Sequence, residues 1–433
     1  MRKYGWLVWN QNHAWRLFLP KSSGSFTQNR IAFGSNRKSI PVTHHPLQPG
    51  EFGFPVHLRK SDSGIWRLPP LIGIITSEHA HPPGFRGNKA NFRDIIETGR
   101  RSGFVGFVFT PSGLNERDPH ISGYTRHPAV KQWIRTVMPL PNVVYNRIPD
   151  REAEQRSAEQ KTLQFFNTNP DTHLFNPQFF DKQQLFRWFK RDHTLSAHLP
   201  ETEIWGSKST LTHFLYRYNT LYVKPAQGKA GKGVMQIKKR ADDYLLTFVT
   251  GKGHELKRYR TRFSHHLYQK INSLTKGQPY MLQQGITLAR YHGRPFDLRQ
   301  LVQKDGDGQW RVTGLGIRVA GAQGITTHVP RGGSIGNPSD IFPHAFGSHA
   351  KRMYNRSLEL AILTAKGIER QSRLTLGEMS IDLGIDQNRQ LWLFEANAKP
   401  MKFDEPLIRK RSLERIIEYA VYLAEGRERV GHP

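Results

Sequence analysis

Apolar residues along this chain recur with two spacings, and the spacing changes several times. Over 1–67 they alternate with polar residues, as in Tyr4 to Trp9 and Phe52 to Leu58, between turns rich in Gly, Ser, Pro and His. A period of two predicts short, half-buried strands. After Leu68-Pro69-Pro70 the pattern changes: LIGIITSE and FVGFVFTP are continuous apolar runs. Between them, FRGNKANFRDIIETGRRSG sets Phe92, Ile95 and Ile96 on one helical face, with Gly99 and Gly103 near its end. This is a βαβ unit, so a small parallel α/β domain is expected over about 68–150, with NVVYNRI as a later strand.

Asp181 precedes the helical run KQQLFRWFKR, which ends in basic residues that suit the helix dipole. SKSTLTHFLYRY places Leu211, Phe214, Leu215 and Tyr218 on one stripe of a second helix. The strand LYVKP, a glycine loop, and the strands VMQIKK and DYLLTFVT follow. A helix is expected over about 256–273, then the strand YMLQQGI, alternating elements to Phe394, and a closing helix over about 405–425. The expected class is α/β (α+β). The chain is expected to divide into a β-rich N-terminal extension (1–67), the α/β domain (68–150), a linker (151–180) and a C-terminal domain (181–433) containing a subdomain at about 205–284.

Composition adds charge to this picture. Lys and Arg number 64 against 35 Asp and Glu, a net +29, which favours polyanionic partners: nucleic acid, anionic lipid or an acidic polymer. No compact Lys/Arg block, zinc-finger spacing or RRM-like aromatic signature points to specific nucleic-acid recognition. There is no run of about 18 apolar residues, and MRKYGWLVWNQNH lacks the apolar core of a signal peptide. No membrane span and no signal-peptide-directed secretion are therefore expected. With no Cys, disulfides and thiolate metal sites are excluded, which fits a cytoplasmic or cell-interior setting. The 20 His, including His44-His45, His79/His81 and His265-His266, show no metal-protease spacing.

Three segments carry chemistry. In LYVKPAQGKAGKGV, Gly228, Gly231 and Gly233 interleave with Lys224, Lys229 and Lys232. Glycines let backbone N–H groups approach an anion, but the Walker pattern fails, so a phosphate loop and a hairpin turn both stay open. In MSIDLGIDQNRQLWLFEANAKP the turn Asp386-Gln387-Asn388-Arg389 joins two strands. Centred on Gln387 and Asn388, it sets Asp382 opposite Leu393. Alternation then puts Asp382, Leu393, Glu395 and Asn397 on one face, and Ile381, Leu383, Trp392 and Phe394 on the other. Two carboxylates and an amide oxygen so placed suit a hard divalent ion, Mg²⁺ or Mn²⁺, completed by phosphate oxygens. In RPFDLRQLVQ, Asp297 and Arg299 share a strand face; an Arg there can stabilise charge in phosphoryl transfer, or simply pair with its neighbour.

Taken in order, these segments resemble the ATP-grasp superfamily over about 180–400. More narrowly, LIGIITSE, NVVYNRI, LYVKPAQGKAGKGV, RPFDLRQL and LFEANAKP look like the YheC/YheD group of endospore coat-associated proteins. The resemblance implies an ATP-grasp fold: two α+β subdomains sandwiching ATP, behind a pre-ATP-grasp domain, with the lid subdomain at about 205–284. It implies that Lys182 and Lys224 contact ATP, and that Gly228, Gly231, Lys232 and Gly233 belong to a lid over the phosphates. Gln283, Gln284, Gly285 and Ile286 match the hinge that reads adenine, although many members carry an acidic residue where Gln284 stands. Asp297 would take the ribose hydroxyls, Arg299 and Arg318 would face the transferring phosphoryl group, and Asp382, Glu395 and Asn397 would hold the metal. Arg331-Gly332-Gly333 falls near a phosphate-proximal loop of such ligases, with a loose flanking match.

The implied activity is a Mg-ATP-dependent ligation of a carboxylate with an amine or similar nucleophile through an acylphosphate. Its partners would be ATP, unidentified carboxylate and amine substrates, and an acidic polymer or spore coat proteins. A structural coat-associated protein on an ATP-grasp scaffold, with weak or no catalysis, is the alternative; nonspecific polyanion binding is a further one.

Overall fold

The computed structural model describes residues 2–10, 14–23, 26–61, 63–118, 120–127, 129–226, 233–250, 255–321, 333–403 and 405–429. They build four sheets, consecutive along the chain. The first holds β1 (Arg2–Trp9), β2 (Trp15–Phe18), β3 (Arg30–Phe33), β4 (Lys38–Thr43), β5 (Phe52–Lys60) and β6 (Trp66–Arg67), in the order β3-β4-β2-β1-β5-β6. Its alternating Leu7, Leu17, Phe54, Val56 and Leu58 turn inward and share a core with Ile75, Phe107 and Phe109 of the second sheet.

The second sheet comprises β7 (Ile72–Ile75), β8 (Gly106–Leu114), β9 (His120–Arg126), β10 (Trp133–Pro139), β11 (Val143–Asn146) and β12 (His173–Phe175), with the helices α1 (Lys89–Arg101), α2 (Arg151–Glu154) and α3 (Ser157–Thr168). Asn88 caps α1 by accepting from Asn91 N at 3.0 Å. Strands β8, β7, β11 and β12 are parallel, as the βαβ pattern predicts. Strands β9 and β10 then extend the sheet antiparallel, because the short links at 115–119 and 127–132 cannot cross over. The expected all-parallel domain is therefore mixed. The stretch 151–180, expected as a linker, instead carries α2, α3 and β12, the last pairing with β11. Its apolar Leu163, Phe166 and Leu174 are buried in the shared core, which a free linker could not satisfy.

Next come α4 (Lys182–Arg191) and α5 (His193–Ser196). The third sheet holds β13 (Thr202–Ile204), β14 (Thr220–Pro225), β15 (Met235–Lys239), β16 (Tyr244–Thr250), β17 (Glu255–Thr261) and β18 (Tyr280–Gln284), ordered β13-β18-β14-β15-β16-β17 and antiparallel throughout. Helices α6 (Lys208–Arg217) and α7 (Ser264–Thr275) cover one face through Leu211, Phe214, Leu215, Leu267 and Ile271. The helix expected over 256–273 is thus corrected: its first third is strand β17. Leu256, Tyr259, Phe263 and Leu267 fit a helical period, but backbone pairing with β16 takes the segment up to Thr261.

The fourth sheet holds β19 (Arg290–Tyr291), β20 (Arg294–Lys304), β21 (Trp310–Val319), β22 (Ser334–Gly336), β23 (Glu378–Ile385) and β24 (Leu391–Asn397), ordered β22-β21-β20-β23-β24 with β19 beside β20. Helices α8 (Pro338–Phe346) and α9 (Ala350–Ser372) bury one face, where Phe296, Leu298, Ile317, Ile381 and Leu383 meet Leu360 and Ile368. The last helix, α10 (Pro406–Arg429), returns to the second sheet, packing Leu413, Ile416 and Ile417 against Ile72, Ile74 and Phe92. A buried polar seam ties the same two sheets: Lys399 pairs with Glu154, Tyr145 donates to Glu378, and Arg147 reaches Glu378 Oε1 at 3.2 Å and Pro400 O at 3.0 Å. Among the described residues no helix is long and apolar enough to cross a membrane.

Candidate functional site

The open face of the fourth sheet is polar because its strands alternate. In β20, Phe296 and Leu298 enter the core while Asp297 and Arg299 take the other face. Register brings Arg299 opposite Asp382 of β23. Asp382 in turn stands opposite Glu395 of β24, and Asn397 lies two residues further, opposite Ser380.

This register differs from the one expected by two residues, in two steps of one that act in the same direction. The hairpin turn has three residues between Asp386 and Gln390, whose backbones pair at 3.0 Å, and Arg389 takes a positive φ of 67°. Asp386 Oδ1 accepts from Asn388 N at 2.9 Å and Gln390 N at 2.8 Å, which closes the turn. That turn alone would set Asp382 opposite Phe394. A bulge between Asp382 and Leu383 adds one more residue to β24 and makes Glu395 the partner, where Leu393 was expected. Leu393, expected beside the carboxylates, is corrected to the core, 2% exposed and paired with Leu383. Phe394, expected on the opposite face, folds over Gly384 on the site side and lies 5.9 Å from Lys224 Nζ.

Charge in the site is closely interlocked. Arg318 of β21 grips Asp297 with two hydrogen bonds of 2.8 Å and reaches Asp382 Oδ2 at 3.1 Å. Burial works against its charge, yet the two carboxylates outweigh burial and raise its pKa. Lys182, in the first turn of α4, is 3.1 Å from Glu395 Oε1. Asp181 holds that helix start by accepting from Gln184 N at 2.7 Å. Arg299 Nη2 sits 3.4 Å from Ser380 Oγ.

Lys224 reaches the same place from the third sheet. Its ammonium donates to Gln283 Oε1 at 2.5 Å and lies 5.4 Å from the Tyr222 ring. Burial pushes its pKa down to about 8, against the pull of Glu395. Gln283 is held in turn by donating to Thr202 Oγ1 at 2.9 Å. At the hinge, Gln284 N donates to Glu201 O and Gly285 N to Thr220 O, each at 2.8 Å. Those two amides are committed within the sheet, so they cannot also read a base edge, and Ile286 follows half-buried. Gly233 has φ +74° and no room for a Cβ, which would lie 2.9 Å from Pro225 Cγ. Gly228, Gly231, Lys229 and Lys232 lie outside the described residues, as do Arg331 and Gly332.

A divalent ion suits the donor set. Asp382 is 8% exposed, and its Oδ1 is buried without a hydrogen-bond partner. Such an oxygen calls for a cation or a proton. Among the described residues no three His, Cys, Asp or Glu are grouped so that they could hold a metal ion by themselves, so protein carboxylates alone cannot fill a shell. Two carboxylates and an amide oxygen, with the remaining positions left to phosphate and water, is the pattern magnesium prefers.

Two roles were not read from the sequence, although both residues were named there. Gln283 contributes its side chain and not only its backbone, and Phe394 walls the site through a bulge that no composition signal announces.

The sequence profile of a family described as YheC/D like ATP-grasp matches residues 171–423. The endospore coat-associated protein YheD of Bacillus subtilis (strain 168) is 28% identical over 365 residues, covering 82% of this chain and 79% of that protein. YheC of the same organism is 21% identical over 297 residues, 67% of this chain and 79% of that one. Among solved structures, D-alanyl-alanine synthetase A from Vibrio cholerae O1 biovar eltor aligns with TM-score 0.47 and 11% identity, covering 82% of this chain and 98% of its own. The ATP-grasp ligase PsnB complexed with precursor peptide PsnA2 and AMPPNP aligns with TM-score 0.45 and 12% identity, covering 82% and 97%.

Proposed function

Because this chain belongs to the YheC/D like ATP-grasp family, we propose that it binds Mg-ATP between its third and fourth sheets and activates a carboxylate for ligation. The observation that carries this reading is Asp382: buried, with an unpartnered oxygen, directly opposite Glu395 and ringed by Lys182, Arg299 and Arg318. Asp382, Glu395 and Asn397 would hold the magnesium, which neutralises charge on the transferring phosphoryl group.

The chain's own residues have separable parts. Lys182 and Lys224 approach Glu395 from two different elements and would attract the phosphates. Lys224 and its Tyr222 and Phe394 flanks would wall the nucleotide. Arg299, half-buried and not locked into an ion pair among the described residues, is the better placed of the two arginines to follow the phosphoryl group. Arg318 is committed to Asp297 and Asp382, so its proposed work is to hold those carboxylates in position. Asp297 gives both oxygens to Arg318, and a ribose would have to share them.

The carboxylate substrate would attack the γ-phosphoryl group, breaking its bond to the β-phosphate oxygen and leaving ADP. An amine or similar nucleophile would then attack the acyl carbon of the acylphosphate, forming the new bond as the C–O bond to phosphate breaks, releasing inorganic phosphate and a proton. The proposed setting is the endospore coat, a reading supported by the names of the Bacillus relatives. Calorimetry with Mg-ATP and an ADP-release assay test the reading on wild type and Glu395→Gln. The expected result is binding by wild type, with affinity and turnover falling at least about tenfold in the variant. Wild-type turnover in a folded Glu395→Gln protein would overturn it. No Mg-ATP binding by wild type would favour a structural coat protein on this scaffold.

A further inference from the structure

Strand β17 forms the outer edge of the third sheet, away from the cleft strands β14 and β18. It pairs along Glu255–Thr261 with β16 and ends the strand order. Among the described residues nothing bonds to its outward backbone groups. The other sheet edges are short or covered. Strand β3 has four residues, β6 two, and β12, β13 and β22 three each. Strand β24 is met by His198, whose carbonyl accepts from Leu393 N at 2.7 Å. Strand β10 is met by Trp15, whose Nε1 donates to Val137 O at 2.9 Å. A seven-residue edge left open is a template on which another chain can pair.

Charge decides what kind of chain. Proteins blunt open edges with charge, and after Glu255 at its start β17 carries only positive charge: Lys257, Arg258 and Arg260, with Arg262 just beyond. Arg260 pairs with Asp243. Among the described residues Lys257, Arg258 and Arg262 have no acidic partner and are exposed, as are Lys238 and Arg240 at the nearby end of β15. A second copy of this edge would be repelled, whereas an acidic strand would be attracted. Lys257 and Arg258 are consecutive, so they project to opposite faces of the sheet and could meet carboxylates on both faces of an added strand. Leu256 (37% exposed) and Phe263 (57% exposed) supply apolar contact at either end.

We propose that β17 is a docking edge for an extended acidic polypeptide, which adds as a further strand and sets its carboxylates against Lys257, Arg258 and Arg262. A nucleic acid would use the charge but not the backbone edge. Of the aromatics here, Tyr259 turns toward α7, where Lys270 lies over its ring at 5.7 Å, which leaves Phe263 as a single exposed ring and not a series on which successive bases could stack.

The test uses the full chain and fluorescence anisotropy. The probe is a labelled peptide of alternating Glu and Val, about ten residues long to match a strand. Two further probes are the same peptide N-methylated on alternate amides and a single-stranded RNA of similar charge. The expected result is salt-sensitive binding of the first peptide. It should weaken at least about tenfold on N-methylation and in Lys257→Glu/Arg258→Glu/Arg262→Glu, with Mg-ATP affinity unchanged in that variant. Equal binding of the N-methylated peptide or of the RNA would overturn the proposal, and so would no binding of the peptide. The N-methylation arm needs only wild-type protein, so it decides the matter even if the charge-reversed variant does not fold.

Discussion

The depressed pKa of Lys224 makes nucleotide binding depend on pH in a defined direction. Burial lowers this ammonium from 10.5 to about 8 in the free protein. That gap corresponds to roughly 3 kcal/mol against the charged form. At pH 7 roughly nine in ten molecules carry the charge; at pH 9 roughly one in ten does. Triphosphate oxygens beside the ammonium would restore the charged form, so binding above pH 8 must take up a proton. The sign follows: Mg-ATP affinity is full below about pH 8 and falls by up to about tenfold per pH unit above it. Calorimetry in two buffers of different ionisation enthalpy reads both the affinity and the proton count. About half a proton should be taken up at pH 8, approaching one at pH 9. Lys224→Met should bind more weakly, with neither the slope nor the uptake. A flat wild-type affinity from pH 7 to 9.5, or the same slope in Lys224→Met, would refute the reasoning.

Removing Arg318 should strip the counter-charge from Asp297 and Asp382, which are 6% and 8% exposed. Arg318→Met is therefore expected to lower stability by about 3–5 kcal/mol in urea unfolding, and Arg318→Lys by less. The Lys399–Glu154 pair has side chains only 3% and 2% exposed. Lys399→Met alone should cost about 3–5 kcal/mol, while Lys399→Met/Glu154→Gln should recover part of that loss; strictly additive losses would show that the two groups do not act as a pair.

Much of this protein's architecture was legible along the chain, because its elements bury one face and periodicity records which. The α1 face of Phe92, Ile95 and Ile96, the Asp181 cap and the alternation of β20 needed no knowledge of neighbours. The candidate carboxylates were legible for the same reason: a charged residue at an otherwise apolar period stands out. What the chain could not record was decided by pairing. A three-residue turn and a one-residue bulge each shift the hairpin by one position, and only together do they set Asp382 against Glu395 while sending Leu393 inward. The segment after Glu255 became a strand because β16 offered it backbone partners, although its apolar spacing also fits a helix. Arg318 holds two carboxylates from different strands, 21 and 64 positions away in sequence, an arrangement that only the sheet brings together. Local burial is written in residue order, whereas register, clamps and open edges belong to the assembled sheets.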